Sequence, residues 1–213
     1  MVDMCVTPAT SRGTDHGGDP RAQRPPTTTR EALLAAALAT FTDHGYGNAS
    51  VAEIVERSGA SVGSLYHHFG GKSGLYLTLW EDFHASQEAR AARAVAQARE
   101  EVGGDAMSLF VRGARAYLYG CWDQRHVARL LLANDGPQGF DLIRRQRSRE
   151  WVRQNTKLLG MGERRAEYVL VLALTTVIGE AGREVATCEY ESEAVEIIDE
   201  VARLIARLSE DAE

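Results

Sequence analysis

Apolar residues recur along this chain at the three- and four-residue spacings of helices, in one segment after another. The most legible segment, from Ser50 to Phe69, reads SVAEIVERSGASVGSLYHHF. Val51, Ile54 and Val55 share one side of a helical period. Ser50 stands where it can cap that helix, with Glu53 three residues on in the reciprocal capping-box arrangement. Gly59 falls where the helix must stop, since glycine takes the left-handed C-cap conformation at little steric cost. Ser61 can cap a second helix, in which Leu65 and Phe69 face inward at i and i+4. Val62, Gly63, Ser64, Tyr66, His67 and His68 are left as an outward face, small and polar at its start and rich in hydrogen-bonding rings at its end. Two short helices joined by a tight turn, the second presenting such a face, follow the plan of a helix-turn-helix that inserts its second helix into a DNA major groove.

The flanking periods extend the pattern. Thr27 to Thr29 offer capping hydroxyls for a helix from about Arg30 to His44, with Leu34, Ala37, Leu38 and Phe41 as its inner stripe and Gly45 at its end. Phe41, Ile54, Val55, Leu65 and Phe69 would form the core of a three-helix unit. Gly70-Gly71-Lys72-Ser73 invites a phosphate-loop reading, but Tyr66 stands where the first glycine is required and no strand precedes it. It reads better as a turn opening a long helix, from Ser73 to about Arg99, that carries Leu75, Leu79 and Phe83 and breaks at Gly103-Gly104. Lys72 and that helix N-terminus would both face a DNA phosphate. Further helices are expected near 105–122, 126–132, 140–159, 163–185 and 192–208. The expected architecture is all-α: a tail over 1–26, a helix-turn-helix domain over 27–72 and a helical body over 73–213.

The run from Phe41 to Leu75 resembles the N-terminal domain of the TetR (AcrR-like) family of transcriptional regulators. Phe41, Gly45-Tyr46, Val51 with Ile54, Gly59-Ala60-Ser61, Leu65-Tyr66, His68-Phe69 and Lys72 carry the resemblance. It covers roughly a quarter of the chain. It implies that Tyr66, His68 and Lys72 hold phosphates, with Ser50 also touching one at the start of the second helix. It places Val62 to Ser64 and His67 near base edges, next to Ser61. Many relatives carry lysine where Val62 stands, so a charged contact is missing here. Val62 could meet a thymine methyl instead, and with no arginine or glutamine on the face, DNA shape would carry much of the specificity. The resemblance also implies a body that binds a small-molecule effector and pairs with a second copy. Candidate pocket residues are Phe110, Tyr117, Trp122, His126, Phe140 and Trp151, although each ring could equally fill a core. The implied function is a ligand-responsive homodimeric repressor, released from a palindromic double-stranded DNA operator by its effector. A helical ligand-binding or adaptor protein without DNA activity is the alternative.

Composition narrows these readings without replacing them. The 213 residues are 44% hydrophobic and 25% charged, ordinary for a globular protein. The net charge of -6 argues against indiscriminate coating of nucleic acid. The acid lies late: Glu180 to Glu213 holds eleven acidic residues against Arg183, Arg203 and Arg207, whereas Arg21 to Leu75 holds five basic and four acidic. The arginines of the tail, at 12, 21, 24 and 30, could reach a minor groove or phosphates. Cys5, Cys121 and Cys188 make no framework, which suits a reducing cytoplasm. Cys121, with Arg125 four residues on, could be a redox trigger or simply a small core hydrophobe. No metalloprotease, nucleophile-elbow, dinucleotide or zinc spacing is present, so no catalytic residue, cofactor or metal is expected. The longest apolar run, from Tyr168 to Ile178, is too short for a membrane span.

Overall fold

The computed structural model describes residues 28–133 and 135–210. Among these residues it contains nine helices: α1 (Thr29–Asn48), α2 (Val51–Ser58), α3 (Val62–Phe69), α4 (Lys72–Val102), α5 (Ala106–Asp123), α6 (Arg125–Leu132), α7 (Phe140–Leu159), α8 (Arg165–Thr187) and α9 (Glu191–Glu210). No helix among the described residues is long and apolar enough to cross a membrane. The arginines at 12, 21 and 24, and Asn134 in the α6–α7 connection, lie outside the described residues.

Capping chemistry sets most of the helix ends. The Thr28 side chain accepts from the Glu31 N–H at 3.2 Å, starting α1. Ser50 accepts from the Glu53 N–H at 3.1 Å, but the expected capping box is only half made. The Glu53 carboxylate turns instead to His44 Nε2 at 3.0 Å and towards Arg57 at 3.4 Å, both charge-assisted when the partner is protonated. Gly59 closes α2 with φ of 66°, which makes the tight corner between α2 and α3. Gly45 marks a kink inside α1 rather than its end, and a short extra turn follows to Asn48.

The inner stripe of α1 also differs from the one expected. Leu33, Ala36, Ala37, Thr40 and Phe41 are buried, while Leu34 is only packed against the edge of the core. Leu33 and Leu34 both fit a 3.6-residue period with Phe41. The choice depends on where the helices packed against α1 lie, namely α2, α4, α6 and α3. Phe41, Ile54 and Leu65 are fully enclosed as expected, and Val55 and Phe69 close the periphery.

The long α4 runs out of this three-helix head into the body, where it packs chiefly along α5. Gly103 ends it in the left-handed conformation. α8 crosses α5 closely because Gly182 has no side chain. A Cβ there would sit 2.9 Å from Tyr117 Cε1 and 3.1 Å from Cys121 Sγ. Cys121 itself is sealed in the core, and burial pushes its thiol up to about 12, so it stays protonated and packs as a hydrophobe. α8 and α9 complete the body, yet Tyr168, Val169, Leu172 and Val177 on α8 and Leu204 on α9 remain exposed.

Candidate nucleic-acid interface and effector cavity

α3 is held by one inward residue, Leu65, with Phe69 beside it, and everything else on it faces outward. Ser61, Val62, Gly63, Tyr66, His67 and His68 are exposed, and Ser64 is half-buried. Val62 and Tyr66 stand 50% and 54% exposed, an unusual state for large apolar side chains on an eight-residue helix. The Ser61 hydroxyl accepts from the Ser64 N–H at 3.1 Å and lies 3.0 Å from the Ser64 hydroxyl. The hydroxyls of Ser50 and Ser61 are therefore structural caps first; Ser50 keeps its O–H for an outside acceptor, while the Ser61 and Ser64 hydroxyls share one bond and leave one O–H between them. The His67 and His68 rings meet edge to face at 5.2 Å and broaden the polar end of the face.

Lys72 is not placed as expected. Its ammonium donates to the carbonyls of Tyr46, Gly47 and Ala49 at 2.8, 3.2 and 2.9 Å, and lies 4.5 Å from the centre of the Tyr46 ring. All three donors are engaged with the short turn that follows the Gly45 kink, where carbonyls lack helical partners. Lys72 is a staple between the start of α4 and the end of α1. Arg57 is likewise engaged, by Asp43 at 2.7 Å and Glu53 at 3.4 Å. Arg30, expected at the start of the first helix and as one of the arginines that could reach DNA, lies over the Phe69 ring at 5.4 Å, which brings a cation next to α3.

In the body, a cavity of about 480 Å³ opens between α4, α5, α6, α7 and α8. Phe110, Tyr117 and Trp151 line it, as expected. Trp122, His126 and Phe140 do not. Trp122 stacks under the Arg125 guanidinium at 4.3 Å, and His126 is exposed on α6. Phe140 lies one layer behind the wall, 5.4 Å from the Trp80 ring and 5.1 Å from the Tyr76 ring. Of the polar groups that the sequence offers for such a pocket, Arg115, His126, Asn134 and Arg147, only Arg147 lines the cavity among the described residues; Trp80, His84 and Glu88, one α4 stripe spaced by four, and Arg144 and Gln154 on α7 were missed. The α4 stripe was legible as a period. The α7 arginines resemble an ordinary solvated helix face, and only the packing turns them inward.

The polar wall of this cavity is specific. His84 is 8% exposed, and its Nδ1 has no hydrogen-bond partner among the described residues. Burial, and secondarily the Arg147 charge, hold it down to about 4, so its ring is neutral at physiological pH. Trp80 packs on it with centroids 4.4 Å apart. Arg147 lies 5.7 Å from the Trp80 ring and 3.7 Å from Glu88, while Glu88 accepts a 2.6 Å bond from Gln154. Among the described residues, no group of three or more His, Cys, Asp or Glu could hold a metal ion.

A continuous set of rings joins the cavity to the head. Trp80 in the wall touches Phe140, Phe140 touches Tyr76, and Tyr76 touches both Tyr46 at 5.1 Å and Phe41 at 5.8 Å. The α6–α7 connection caps this stack through Asp135, which bonds to both Tyr76 and Tyr46.

Residues 33–79 match the sequence model described as "Bacterial regulatory proteins, tetR family". The chain is 43% identical over 54 residues to the HTH-type transcriptional repressor AcnR of Corynebacterium glutamicum, a match covering 25% of this chain and 29% of that protein. It is 42% identical over 82 residues to the HTH-type transcriptional activator FasR of Mycolicibacterium smegmatis, covering 37% of each. These matches thus span only 29% and 37% of the relatives' lengths. The fold match reaches further. A TetR-like transcriptional regulator from Rhodococcus sp. RHA1 superposes with a TM-score of 0.64 at 20% identity, over 87% of this chain and 97% of that one.

Proposed function

As a member of the TetR family of bacterial regulatory proteins, this chain, we propose, is a sequence-specific DNA-binding regulator of transcription. The observation that carries this reading is the α3 face, where Val62 and Tyr66 stand out of the protein beside Ser64, His67 and His68 with no intramolecular use for that exposure. Val62, Gly63, Ser64 and His67 meet base edges, and Tyr66, His68 and the hydroxyls of Ser50 and Ser61 meet phosphates. Lys72 contributes by rigidity and by its fixed charge at the start of α4, and Arg30 adds a cation beside α3.

The functional unit is a homodimer. One α3 buries too little surface for a specific site, and two copies on a two-fold axis read a palindrome with half-sites about one helical turn apart, roughly 34–36 Å. The exposed apolar residues of α8, with Leu204 of α9, supply the self-complementary surface. The cavity is the effector site. An occupant pressing on Trp80 displaces Phe140 and Tyr76, and so Asp135 and the Gly45–Tyr46 turn, shifting the two heads away from the spacing that DNA requires. In its simplest form this makes the protein a repressor released by its ligand.

Selection of genomic fragments by the purified full chain at about 0.15 M salt tests the reading, because non-specific binding is weak there. Enrichment of an inverted repeat is expected. A folded dimer that enriches nothing would overturn the DNA-binding assignment in favour of a helical ligand-binding or adaptor protein.

A further inference from the structure

Resting on the reading of the cavity as the effector site, we infer that its occupant is an amphipathic organic acid, with a carboxylate on the Arg147 guanidinium beside His84 and an apolar body among the aromatic rings. Four aromatic side chains, Trp80, Phe110, Tyr117 and Trp151, give the space a mainly apolar wall. A cavity of about 480 Å³ falls in the range of roughly 300–1,000 Å³ that holds a small organic molecule. Against that wall stand two groups whose hydrogen-bonding capacity the protein leaves unused.

The first is Arg147. It touches Glu88 only at 3.7 Å, beyond hydrogen-bond length, and lies against the Trp80 ring, with no hydrogen bond to any described residue. Its planar fork is built for a two-pronged bond to a carboxylate. The second is His84, which lines the cavity as a neutral ring with one N–H to donate and packs against Trp80; its unpartnered Nδ1 is shut off from open space, so the ring meets an occupant by its other edge.

The acids of the wall do not compete for the same role. Glu88 is held by Gln154 at 2.6 Å, and Glu180 is paired with Arg183, which also bonds the Leu132 carbonyl at 3.0 Å. A cationic ligand that reached the open Oε2 of Glu88 would meet the Arg147 guanidinium 3.7 Å from that oxygen. A neutral ligand would leave the guanidinium fork unmatched. The carboxylate is the head group that fits what is open.

The test is direct binding to the full chain, followed by tryptophan fluorescence, since Trp80 and Trp151 both line the cavity. The probes are decanoate, decan-1-ol and decylamine, and 4-butylbenzoate with 4-butylbenzyl alcohol. At least one carboxylate is expected to bind tenfold or more tighter than its matched alcohol, with decylamine weakest. Arg147→Gln should bring each acid to within about twofold of its alcohol, read as the acid-to-alcohol ratio within each pair, and an acid preference that survives the substitution would overturn the inference. Preference for the amine, equal binding of acid and alcohol, or no binding by any probe would overturn the inference. The readout needs no DNA. Selective acid binding that never alters DNA affinity would preserve the inference and defeat the effector reading, and an absence of DNA binding would leave the selectivity result intact.

Discussion

Asp135 holds Tyr46 in place across 89 residues of sequence: its Oδ2 accepts the Tyr46 backbone N–H at 2.8 Å. Its own carbonyl accepts the Tyr76 hydroxyl at 2.6 Å, so one residue of the body fixes both the turn of the head and the ring beneath it. Burial and the nearby Asp135 carboxylate also hold the Tyr76 phenol well above its ordinary range, keeping it a donor at any physiological pH. Asp135→Ala should cost about 1–2 kcal/mol of stability. Amide exchange should distinguish the mechanism: the Tyr46 N–H loses protection while Leu65 in α3 keeps its own. Unchanged protection at Tyr46 would show that the bond does not join head to body.

Lys72→Met separates a staple from a phosphate hand. Three carbonyls lose a charged donor, and a destabilisation of about 2–3 kcal/mol is expected, read as a lower unfolding midpoint in denaturant. If stability is unchanged and only the salt dependence of DNA binding falls, the lysine serves phosphate rather than the head.

Tyr66→Ala should leave stability within about 0.5 kcal/mol, because the ring is mostly solvated, and should weaken DNA binding for every sequence tried. Ser64→Ala or His67→Ala should instead change which base pairs are preferred, at about 1–3 kcal/mol per altered contact. Competition binding against operator variants reads both. Reversal of the two patterns would exchange the phosphate and base assignments.

His84 predicts a pH dependence with a definite sign. Its folded value of about 4 lies below the ordinary 6.5, so between these values the unfolded chain binds the extra proton. The contribution is fully present above about pH 6.5 and is lost as pH falls towards 4. The difference of about 2.5 in pKa corresponds to roughly 3 kcal/mol as an upper bound. His84→Phe should flatten that part of the stability profile. A slope unchanged by the substitution would place the titration elsewhere.

Gly182→Ala should destabilise by about 1–3 kcal/mol, since the added carbon meets Tyr117 and Cys121 at 2.9–3.1 Å and the Tyr117 ring must shift towards the cavity it lines. A thermal midpoint equal to that of the parent protein would mean that α8 can move away from α5.

Most of the head could be read from local signals. Ser50, Gly59 and Ser61 are caps whose effect depends on a few neighbouring backbone groups, so residue type and spacing determine their outcome. The exposed face of α3 followed by elimination once Leu65 was known to point inward. Gly103 ends α4 as expected for the same local reason, and Gly160 ends α7 in the same left-handed conformation. Local chemistry could not choose between Leu33 and Leu34, because both satisfy the period and only the helices packed against α1 distinguish them. Nor could it show that Glu53 would leave its capping role for His44 and Arg57, which approach from another helix.

The cavity was the least legible part. Rings such as Phe110 and Phe140 have the same local pattern, yet one faces open space and the other lies behind its wall. Residue order and spacing alone settled the helical class, the turn between α2 and α3 and the outward face of α3, since each depends on interactions within a few residues. Tertiary structure alone decided that Lys72 is a staple, that Arg147 and His84 share a pocket, and that Asp135 meets Tyr46. Those relationships depend on where five helices cross, and a crossing is a property of packed surfaces far apart in the chain.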